Sequence, residues 1–339
     1  MRGAPRGVRL GLFIAPQHPA GLPPRQAVAR HLEEVRISRE GGFSSVLVGQ
    51  HFLAHPYAML QSVPLLSRLA AEAGPMRLGP GILLLALLNP LEVAENLATL
   101  AALTEGGAIA GFGLGYREVE NRAFGVGSGR GRIFAAKLDV VRRLLAGESV
   151  TGKGPGYELS DARLSLLPER PLPLWVAANS DAAVERAAVR ADAWLVNPHT
   201  ALGELERQVD LYRAVRSDAG LPSELGLPIL KEVCVAATDD QAWARARPYL
   251  EAKYKAYVEW GQDDVLPDGD TLRRQFGELA RGGRFVIGSP ETCVEALFEH
   301  RRRLGVDEVF CRVGWPGMPH EHVLESLELL SAEVAPRLS

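Results

Sequence analysis

A histidine stands just after one of the apolar segments of this sequence. Residues 44–49 have the sequence SSVLVG, which predicts a buried strand, and Gln50 and His51 come next. Side chains just past the carboxyl ends of parallel strands line the functional sites of α/β folds. An imidazole at such a position can exchange a proton near neutral pH. His51 is therefore the candidate catalytic residue, and a purely structural, hydrogen-bonded histidine is the alternative.

Two polar residues separate a predicted strand from a predicted helix in the middle of the chain. Asn179 and Ser180 follow the strand at residues 173–177 and precede the helix at residues 181–190. The first N–H groups of a helix lack partners and attract anions, so this pair could hold a phosphate. Simple N-capping explains the same residues, and both interpretations stay open. Asp181 would repel a phosphate, so we expect its side chain to face solvent.

The segment at residues 76–116 contains two apolar runs separated by a helical pattern. The first run ends at Asn89, and the second ends at Gly115 and Tyr116. Such runs, joined by a helix, are typical of a βαβ unit in a parallel sheet that helices cover on both faces. Because chemistry in these sheets lies where the strands end, all three residues become site candidates.

Glycines recur around the end of the second run, at positions 111, 113 and 115. They do not form a dinucleotide-binding fingerprint, because they lie in and at the end of a strand rather than between a strand and a helix. Small residues there would allow a flat group to approach the backbone. Tyr116 could stack on that group or bond to it, and a packing tyrosine is the alternative.

The elements that must position these residues alternate along the whole chain. Strands are predicted at residues 8–14, 44–49, 78–88, 108–114, 173–177, 193–196, 227–237 and 308–313. Helical patterns lie between them, the second of them at residues 57–73. Eight strand–helix alternations predict a (β/α)8 barrel that forms a single domain over residues 1–339. An open doubly wound sheet ranks second, since no glycine fingerprint follows the first strand.

Three segments depart from this alternation. Residues 117–132 are rich in glycine and predict a flexible loop, and residues 149–167 predict a β excursion outside the main sheet. Residues 261–284 are polar, with a short helical piece at residues 272–279. Long insertions of this kind are often mobile lids, so we expect a lid here.

Composition excludes several classes of function. The net charge of −3 and the pI of about 6.3 argue against a nucleic-acid partner. The three cysteines are far apart, which fits buried thiols in a reducing compartment and forms no metal pattern. No segment reaches transmembrane length, and the basic residues 1–13 contain too short an apolar stretch for a signal peptide. We therefore expect a cytoplasmic protein with no metal and no membrane partner.

Motifs along the whole chain resemble the bacterial luciferase-like family of flavin-dependent oxidoreductases. In chain order they are VGQHF, PYAMLQSVPLLSRLA, RLGPGILLLALLNPLEVAENLATL, GFGLGYREVENRAFGV, LWVAANSDAAVERAA, VIGSPETCVEAL and RVGWPGMPHEHVLESLELLSAEVAP. The resemblance implies a (β/α)8 barrel with a flavin across the carboxyl ends of its strands.

The resemblance also implies roles for individual residues. The flavin phosphate would lie at Asn179 and Ser180, and the third strand near Gly81 would lie behind the ring system. Family members often carry a non-prolyl cis peptide in that strand. His51 matches a histidine that many members keep beside the ring. The implied cofactor contacts are Gly81, Asn89, Gly115, Tyr116, Asn179 and Ser180.

Three positions depart from the family pattern. Before the fourth strand the common Gly-Gly-Arg is Gly106-Gly107-Ala108, which would remove a structural ion pair rather than a catalytic one. Gln50 stands where an acidic residue is frequent, which puts a proton relay through that position in doubt. Tyr116 replaces a basic residue that would contact the phosphate, and the neighbouring Arg117 is a candidate substitute.

The resemblance implies a monooxygenase that uses reduced FMN and O2 to oxidise a small organic substrate, with a separate flavin reductase as transient partner. The same fold with the deazaflavin coenzyme F420, transferring hydride without oxygen, is the alternative. A flavin-binding protein without turnover is a third possibility. The family also suggests a homodimer packed through the early helices, at residues 60–71 and 93–102.

Overall fold

A computed structural model of the chain describes residues 7–223 and 226–338, so residues 1–6 of the basic N-terminal segment lie outside the described residues. The strands are β1 (Arg9–Ile14), β2 (Gln17–Pro19), β3 (Ser45–Val48), β4 (Tyr57–Met59), β5 (Arg77–Pro80), β6 (Leu83–Leu84), β7 (Ala110–Gly113), β8 (Val150–Gly154), β9 (Tyr157–Ala162), β10 (Leu174–Ala178), β11 (Ala193–Val196), β12 (Leu227–Val235), β13 (Phe285–Gly288) and β14 (Val306–Arg312). The α-helices are α1 (Pro24–Glu40), α2 (Ser62–Ala73), α3 (Pro90–Ala102), α4 (Glu118–Ala123), α5 (Arg130–Leu145), α6 (Asp181–Arg190), α7 (Leu202–Asp218), α8 (Asp239–Glu259), α9 (Phe276–Arg281), α10 (Pro290–Leu304) and α11 (His320–Leu329).

Parallel strands fill eight positions around a ring within these residues. β1 pairs with β3 and β14, and parallel pairs continue around the ring as far as β6 and β7. The ring closes where β6 pairs with β7 and where Leu78 of β5 bridges Ala108. β5 and β6 together fill one position, and β13 pairs with the end of β12, off the ring. The structure confirms the predicted (β/α)8 barrel.

Large apolar side chains fill the inside of the ring. Phe13, Leu47, Trp175 and Phe310 are buried there, and the rings of Trp175 and Phe310 meet edge to face at 5.8 Å. A second, larger apolar cluster packs the helices against the outside. Burial on both faces explains why the barrel strands are apolar at nearly every position rather than at alternate ones.

A buried carboxylate ties the amino-terminal ends of three strands together. Glu308 of β14 is 1% exposed and accepts hydrogen bonds from the hydroxyls of Ser44 and Ser45 at 2.6 and 2.7 Å. Arg77, the first residue of β5, donates to the other carboxylate oxygen at 2.5 Å. These charge-assisted bonds stabilise the end of the barrel opposite the site.

Two predicted elements are wrong in their extent. The helix predicted at residues 57–73 begins only at Ser62, because Tyr57–Met59 forms β4 and pairs with β2. Pro64 lies in the first turn of α2, where its missing N–H would have no partner. The single strand predicted at residues 78–88 is divided into β5 and β6, because the cis peptide between Gly81 and Ile82 interrupts it.

The three segments that interrupt the strand–helix alternation match their predicted structures only in part. Residues 117–132 are not one loop, since α4 forms within them and α5 begins there. The β excursion is confirmed, because β8 and β9 form a separate antiparallel hairpin. Residues 261–284 are largely irregular and carry a 3-10 turn at Asp263–Val265 and α9. Whether they close as a lid stays a prediction.

Two further sequence expectations can be compared with the structure. The cysteines are free and buried, and burial raises the pKa of the Cys234 and Cys293 thiols to about 12, so they are inert at neutral pH. None of the helices in the described part of the chain is both long and apolar enough to cross a membrane.

Two glycines allow the ring to close. A Cβ added to Gly79 would lie 2.3 Å from the carbonyl oxygen of Ile109, and a Cβ on Gly111 would lie 2.1 Å from that of Pro80. Both obstacles are backbone atoms, which cannot rotate away. The strands on the two sides of the closure therefore approach each other only because these positions lack side chains.

Replacement of Gly111 by alanine is expected to lower the free energy of unfolding by about 1–3 kcal/mol, because the methyl group overpacks this closure. The midpoint of urea denaturation measures the change. Gly152→Ala is the control, since a Cβ at that hairpin position meets nothing within 4 Å. An equal stability of Gly111→Ala and wild type would contradict the close approach of β5–β6 and β7.

Candidate active site

A cavity opens at the carboxyl-terminal mouth of the barrel, where all eight ring positions contribute residues or the loops that follow them. Its lining is mainly apolar, with a few polar side chains, as is typical of small-molecule sites. Of the residues predicted from sequence, those that line it are Gly81, Gly115, Tyr116, Asn179, Ser180 and His51. Six of the seven predicted residues are thus brought together.

Asn89 is the predicted residue that lies outside this cavity. It is exposed, and its side chain accepts a hydrogen bond from the N–H of Leu91 as the N-cap of α3. Its amide also donates to the carbonyl oxygen of Gly156 in the β8–β9 hairpin. In the structure Asn89 therefore has a capping role.

The back wall of the cavity is apolar backbone and side chain. The Gly81–Ile82 peptide is cis and non-prolyl, and both residues line the cavity together with Leu84. A Cβ on Gly113 would lie 2.5 Å from Ile82, so β7 packs directly on this wall. Gln50 holds the wall from the side, since its Oε1 accepts a hydrogen bond from the N–H of Leu84 at 3.0 Å. A flat apolar group can lie against this surface.

His51 lies at the cavity with one ring nitrogen held by a buried carboxylate. Its Nδ1 is 3.0 Å from Oε1 of Glu120, a residue that is only 1% exposed. An ionised carboxylate can only accept, so Nδ1 of the neutral ring carries the hydrogen and Nε2 is the basic nitrogen. Within the described residues Nε2 has no hydrogen-bond partner. His51 can therefore take up a proton through Nε2.

The carboxylate of Glu120 is itself fixed in position. The N–H of Phe52 donates to the same oxygen at 2.8 Å, and Arg117 donates to it at 3.4 Å. Arg117 is buried, bonds to the carbonyl oxygens of Phe52 and Leu53, and lies 4.0 Å from the ring centroid of Trp260. Its guanidinium thus supports the His51–Glu120 pair and does not replace the basic phosphate contact that the sequence suggested.

Aromatic rings surround His51. The ring centroids of Trp260, Tyr116 and Tyr257 lie 5.6, 5.7 and 6.5 Å from that of His51, all in edge-to-face geometry. The Tyr116 hydroxyl is buried without a hydrogen-bond partner, and burial raises the pKa of Tyr116 well above its ordinary value. Tyr116 therefore stays a neutral phenol that can donate a hydrogen bond into the cavity.

The start of α6 forms another side of the cavity. Asn179 accepts a hydrogen bond from Asn197 at 2.6 Å, and Ser180 begins α6 without using its hydroxyl in a capping bond. Asp181 forms two bonds with Arg207 at the surface, and this arginine holds the pKa of the carboxyl below its ordinary value. The expectation that Asp181 faces away from the site agrees with this ion pair. Because Asp181 is paired with Arg207, the partial positive charge of the N–H groups at the start of α6 is available to an anion.

A guanidinium that sequence reasoning missed lies near this side. Arg130, the first residue of α5, donates to the carbonyl oxygen of Gly115 at 3.4 Å. The glycine-rich stretch before it had suggested a loop, which hid the start of the helix.

A buried cluster of charges lies along the opposite side. Glu232 accepts a hydrogen bond from Lys253 and another from the indole of Trp315, and Arg312 lies 3.8 Å away. Burial opposes ionisation of Glu232, but Lys253 and Arg312 outweigh it and keep the pKa of Glu232 below its ordinary value. None of these residues was predicted, because each is isolated in the sequence.

Glu120 was missed for a comparable reason. It stands three residues after Arg117 within the predicted loop, and only a helix there turns both residues toward His51. The signal available in the sequence was a carboxylate shortly after the end of β7.

A family model described as luciferase-like monooxygenase matches residues 8–308. Limonene 1,2-monooxygenase of Rhodococcus erythropolis is 25% identical over 342 residues, which cover 98% of this chain and 87% of that protein. The F420-dependent glucose-6-phosphate dehydrogenase of Kineococcus radiotolerans is 31% identical over 206 residues, which cover 58% of this chain and 55% of that protein.

Two solved structures have the same fold. Monooxygenase RslO1 from Streptomyces bottropensis superposes with a TM-score of 0.86 at 22% identity, covering 98% of this chain and 100% of that chain. The oxygenating constituent of 3,6-diketocamphane monooxygenase from Pseudomonas putida, in complex with FMN, has a TM-score of 0.77 at 18% identity, with coverage of 98% and 99%. At these identities the likeness concerns the fold.

The His51–Glu120 pair makes a testable prediction about the neutral ring. In ¹⁵N-labelled protein we expect His51 to be the Nδ1–H tautomer, because the carboxylate can only accept. In Glu120→Gln the amide can donate as well as accept, so this preference should weaken. The ¹⁵N shifts of the two ring nitrogens measure it, and His55 is the internal control. An Nε2–H tautomer in the wild type would contradict the pairing.

Proposed function

This chain belongs to the family of luciferase-like monooxygenases, and from that premise we propose that it oxidises a small organic substrate with reduced FMN and O2. The observation that carries the proposal is the His51–Glu120 pair at a cavity whose back wall is the cis Gly81–Ile82 segment. The relatives named as monooxygenases support this choice of reaction.

The residues present fit a flavin in three respects. The wall formed by Gly81, Ile82 and Leu84 offers an apolar surface for a planar ring. The buried, unpartnered hydroxyl of Tyr116 can donate to a ring carbonyl or nitrogen. Ser180 at the start of α6 lines the same cavity as this wall, so the helix start is available for the phosphate.

At the phosphate end, we propose that Asn179, Ser180 and the first N–H groups of α6 hold the FMN phosphate. The Ser180 hydroxyl is free of a capping bond, and no side-chain carboxylate is among the residues of the described chain that line the cavity. Arg130, next to Gly115, adds positive charge to the same end of the barrel. Helix dipole and guanidinium thus both favour a phosphate.

When bound, reduced FMN would supply the electrons with which O2 oxidises the substrate. The residues of the chain would bind the flavin, orient the groups that exchange protons with it, and exclude water from the cavity. Nε2 of His51 would hold or release a proton next to the ring, while Glu120 keeps the imidazole oriented and stabilises its charged form. Gln262 and Val265 from the segment at residues 261–284 line the cavity, so this segment would exclude water during the reaction.

The alternative proposal is hydride transfer with F420. It is supported by the 31% identity to the F420-dependent dehydrogenase over 58% of this chain. A phosphate of either coenzyme would use the start of α6, so the surfaces described above do not separate the two. A requirement for O2 and the relative affinities for FMN and F420 distinguish the two proposals.

Two partners follow from the monooxygenase proposal. A separate flavin reductase would deliver reduced FMN, and a second copy of the chain would pack against the early helices α2 and α3. Gel filtration at the mass of one 36.7 kDa chain would refute the homodimer.

The Ser180→Asp variant tests the phosphate position. It is expected to weaken FMN binding at least about tenfold, because a carboxylate repels the phosphate at short range. Riboflavin, which lacks the phosphate, should bind equally to variant and wild type. Fluorescence titration of both flavins measures the two affinities.

Ser289→Asp is the matched control, because Ser289 also occupies the N-cap position of a helix, where its hydroxyl accepts a hydrogen bond from the N–H of Thr292, but it does not line the cavity. It should change neither affinity. If Ser180→Asp weakened FMN and riboflavin binding equally, the phosphate would lie elsewhere.

The choice between FMN and F420 is tested by anaerobic titration of the protein with each reduced coenzyme. Tighter binding of reduced FMN is expected. When O2 is admitted, hydrogen peroxide release should be slower than from free reduced FMN, because the cavity shields the bound flavin from water. Tighter binding of F420 would favour hydride transfer instead.

The His51→Ala variant tests the catalytic role. We expect it to keep FMN affinity and to lower the rate of substrate oxidation about 10²-fold, which is typical for the loss of a general acid or base. The initial rate of substrate oxidation at saturating reduced FMN and O2 measures it. Absence of turnover in the wild type, together with intact flavin binding and cellular function in His51→Ala, would support flavin binding without catalysis.

A further inference from the structure

A group of buried hydrogen-bond donors lines the cavity on the side of β1, β14 and α8, together with His199 from the loop after β11. Gln17, His199, Tyr257 and Arg312 line the cavity there, and each is at most 7% exposed. We refer to these four residues as the donor cluster. The reaction proposed above assigns no role to them.

The orientation of the Gln17 amide follows from its neighbours. Arg312 can only donate, and it donates to Oε1 of Gln17 at 3.4 Å, as does the hydroxyl of Tyr257 at 3.3 Å. Oε1 therefore faces these two residues. Nε2 of Gln17 is left buried without a partner, which leaves two N–H donors for a ligand.

His199 supplies another unused donor. Burial, with Lys253 and Arg312 next in importance, lowers the pKa of His199 well below its ordinary value, so the ring is neutral. Lys253 donates to its Nε2 at 3.2 Å, which leaves the hydrogen on Nδ1. Nδ1 is also buried without a partner.

Two buried cations lie against one carboxylate beneath the cluster. Lys253 and Arg312 share Glu232, and all three are at most 3% exposed. Arg284 is paired with Asp270, and the buried Lys231 donates to the carbonyl oxygen of Gly283. Burial lowers the pKa of Lys253 to about 7, and an anionic group bound beside Arg312 and Lys253 would favour the charged form of this lysine.

We propose that the donor cluster binds a carboxylate of the substrate, so that the molecule oxidised in this cavity is an organic acid. Buried donors without acceptors, next to the charged Arg312, match a singly charged oxygen group. A phosphate is less suitable, because a second negative charge would face Glu232. The inference rests on the proposed function, since it names the substrate class of the same cavity.

The position of the cluster fixes how the acid would lie. Tyr257 belongs to the cluster and its ring is 6.5 Å from that of His51. A carboxylate held by Arg312 and Gln17 would leave the rest of the molecule pointing toward His51 and the cis Gly81–Ile82 wall. The acid group would thus hold the substrate in a fixed orientation next to His51.

Benzoate and benzamide form the test pair, because they share shape and differ in charge. Calorimetric titration of the full chain, with and without FMN, should give at least about tenfold tighter binding of benzoate. In Gln17→Glu the internal carboxylate next to Arg312 would take the place of the ligand. This variant should lose the preference for benzoate and keep its affinity for benzamide.

Arg312→Gln should also lose the preference, and Arg216→Gln is its matched control. Arg216 is buried to the same extent, at 4% against 3% exposure, but bonds only to backbone carbonyls away from the cavity. It should retain the preference for benzoate even if it unfolds at lower temperature. Should Arg312→Gln fail to fold, Gln17→Glu decides alone.

Equal affinity of the wild type for benzoate and benzamide would overturn the inference, as would a preference for benzoate that survives in Gln17→Glu. The outcome is independent of the proposed function. If FMN failed to bind while the preference for benzoate held, only the flavin reaction would be refuted. If FMN bound and reacted with O2 but both probes bound equally, only the carboxylate site would be refuted.

Discussion

The closure of the barrel between β5–β6 and β7 is the constraint on which the site depends. The strands meet at a line of backbone contacts that Gly79 and Gly111 leave free of side chains. At the same place the cis Gly81–Ile82 peptide separates β5 from β6 and forms the back wall of the cavity. The element that completes the fold and the surface that would carry the cofactor are therefore the same few residues.

At the mouth of the barrel, the carboxylate beside His51 comes from a position other than the one at which an acidic residue is frequent in the family. Gln50, at a position where an acid is frequent in the family, holds the backbone of Leu84 rather than a proton relay. The carboxylate that orients His51 comes instead from Glu120 in α4, the short helix that follows β7. Arg117 supports this carboxylate, so it is not available to a phosphate. The acidic group that is absent at Gln50 is therefore replaced, next to His51, by the carboxylate of Glu120.

The two ends of the cavity have the same electrostatic sign for different reasons. At one end the start of α6 and Arg130 provide a partial and a full positive charge near the surface. At the other end the charged Arg312 shares Glu232 in the interior with Lys253, whose pKa burial lowers to about 7. A chain with a net charge of −3 thus concentrates positive charge where it could hold two anionic groups, with His51 and the aromatic rings between them.

The sequence by itself determined the barrel, the order of its strands and the edge at which the site lies. Apolar runs buried on both faces, separated by helices, leave few other folds, and residues such as His51 and Ser180 stand directly after such runs. Only the tertiary structure decided which polar residues meet there. Glu120 was hidden in a segment whose glycines suggested a loop, and Asn89 caps a helix although it also follows an apolar run. Glu232, Lys253 and Arg312 lie on three elements far apart in the chain, so their contact depends on the curvature of the closed sheet and on α8 packing across its mouth, which no local pattern encodes.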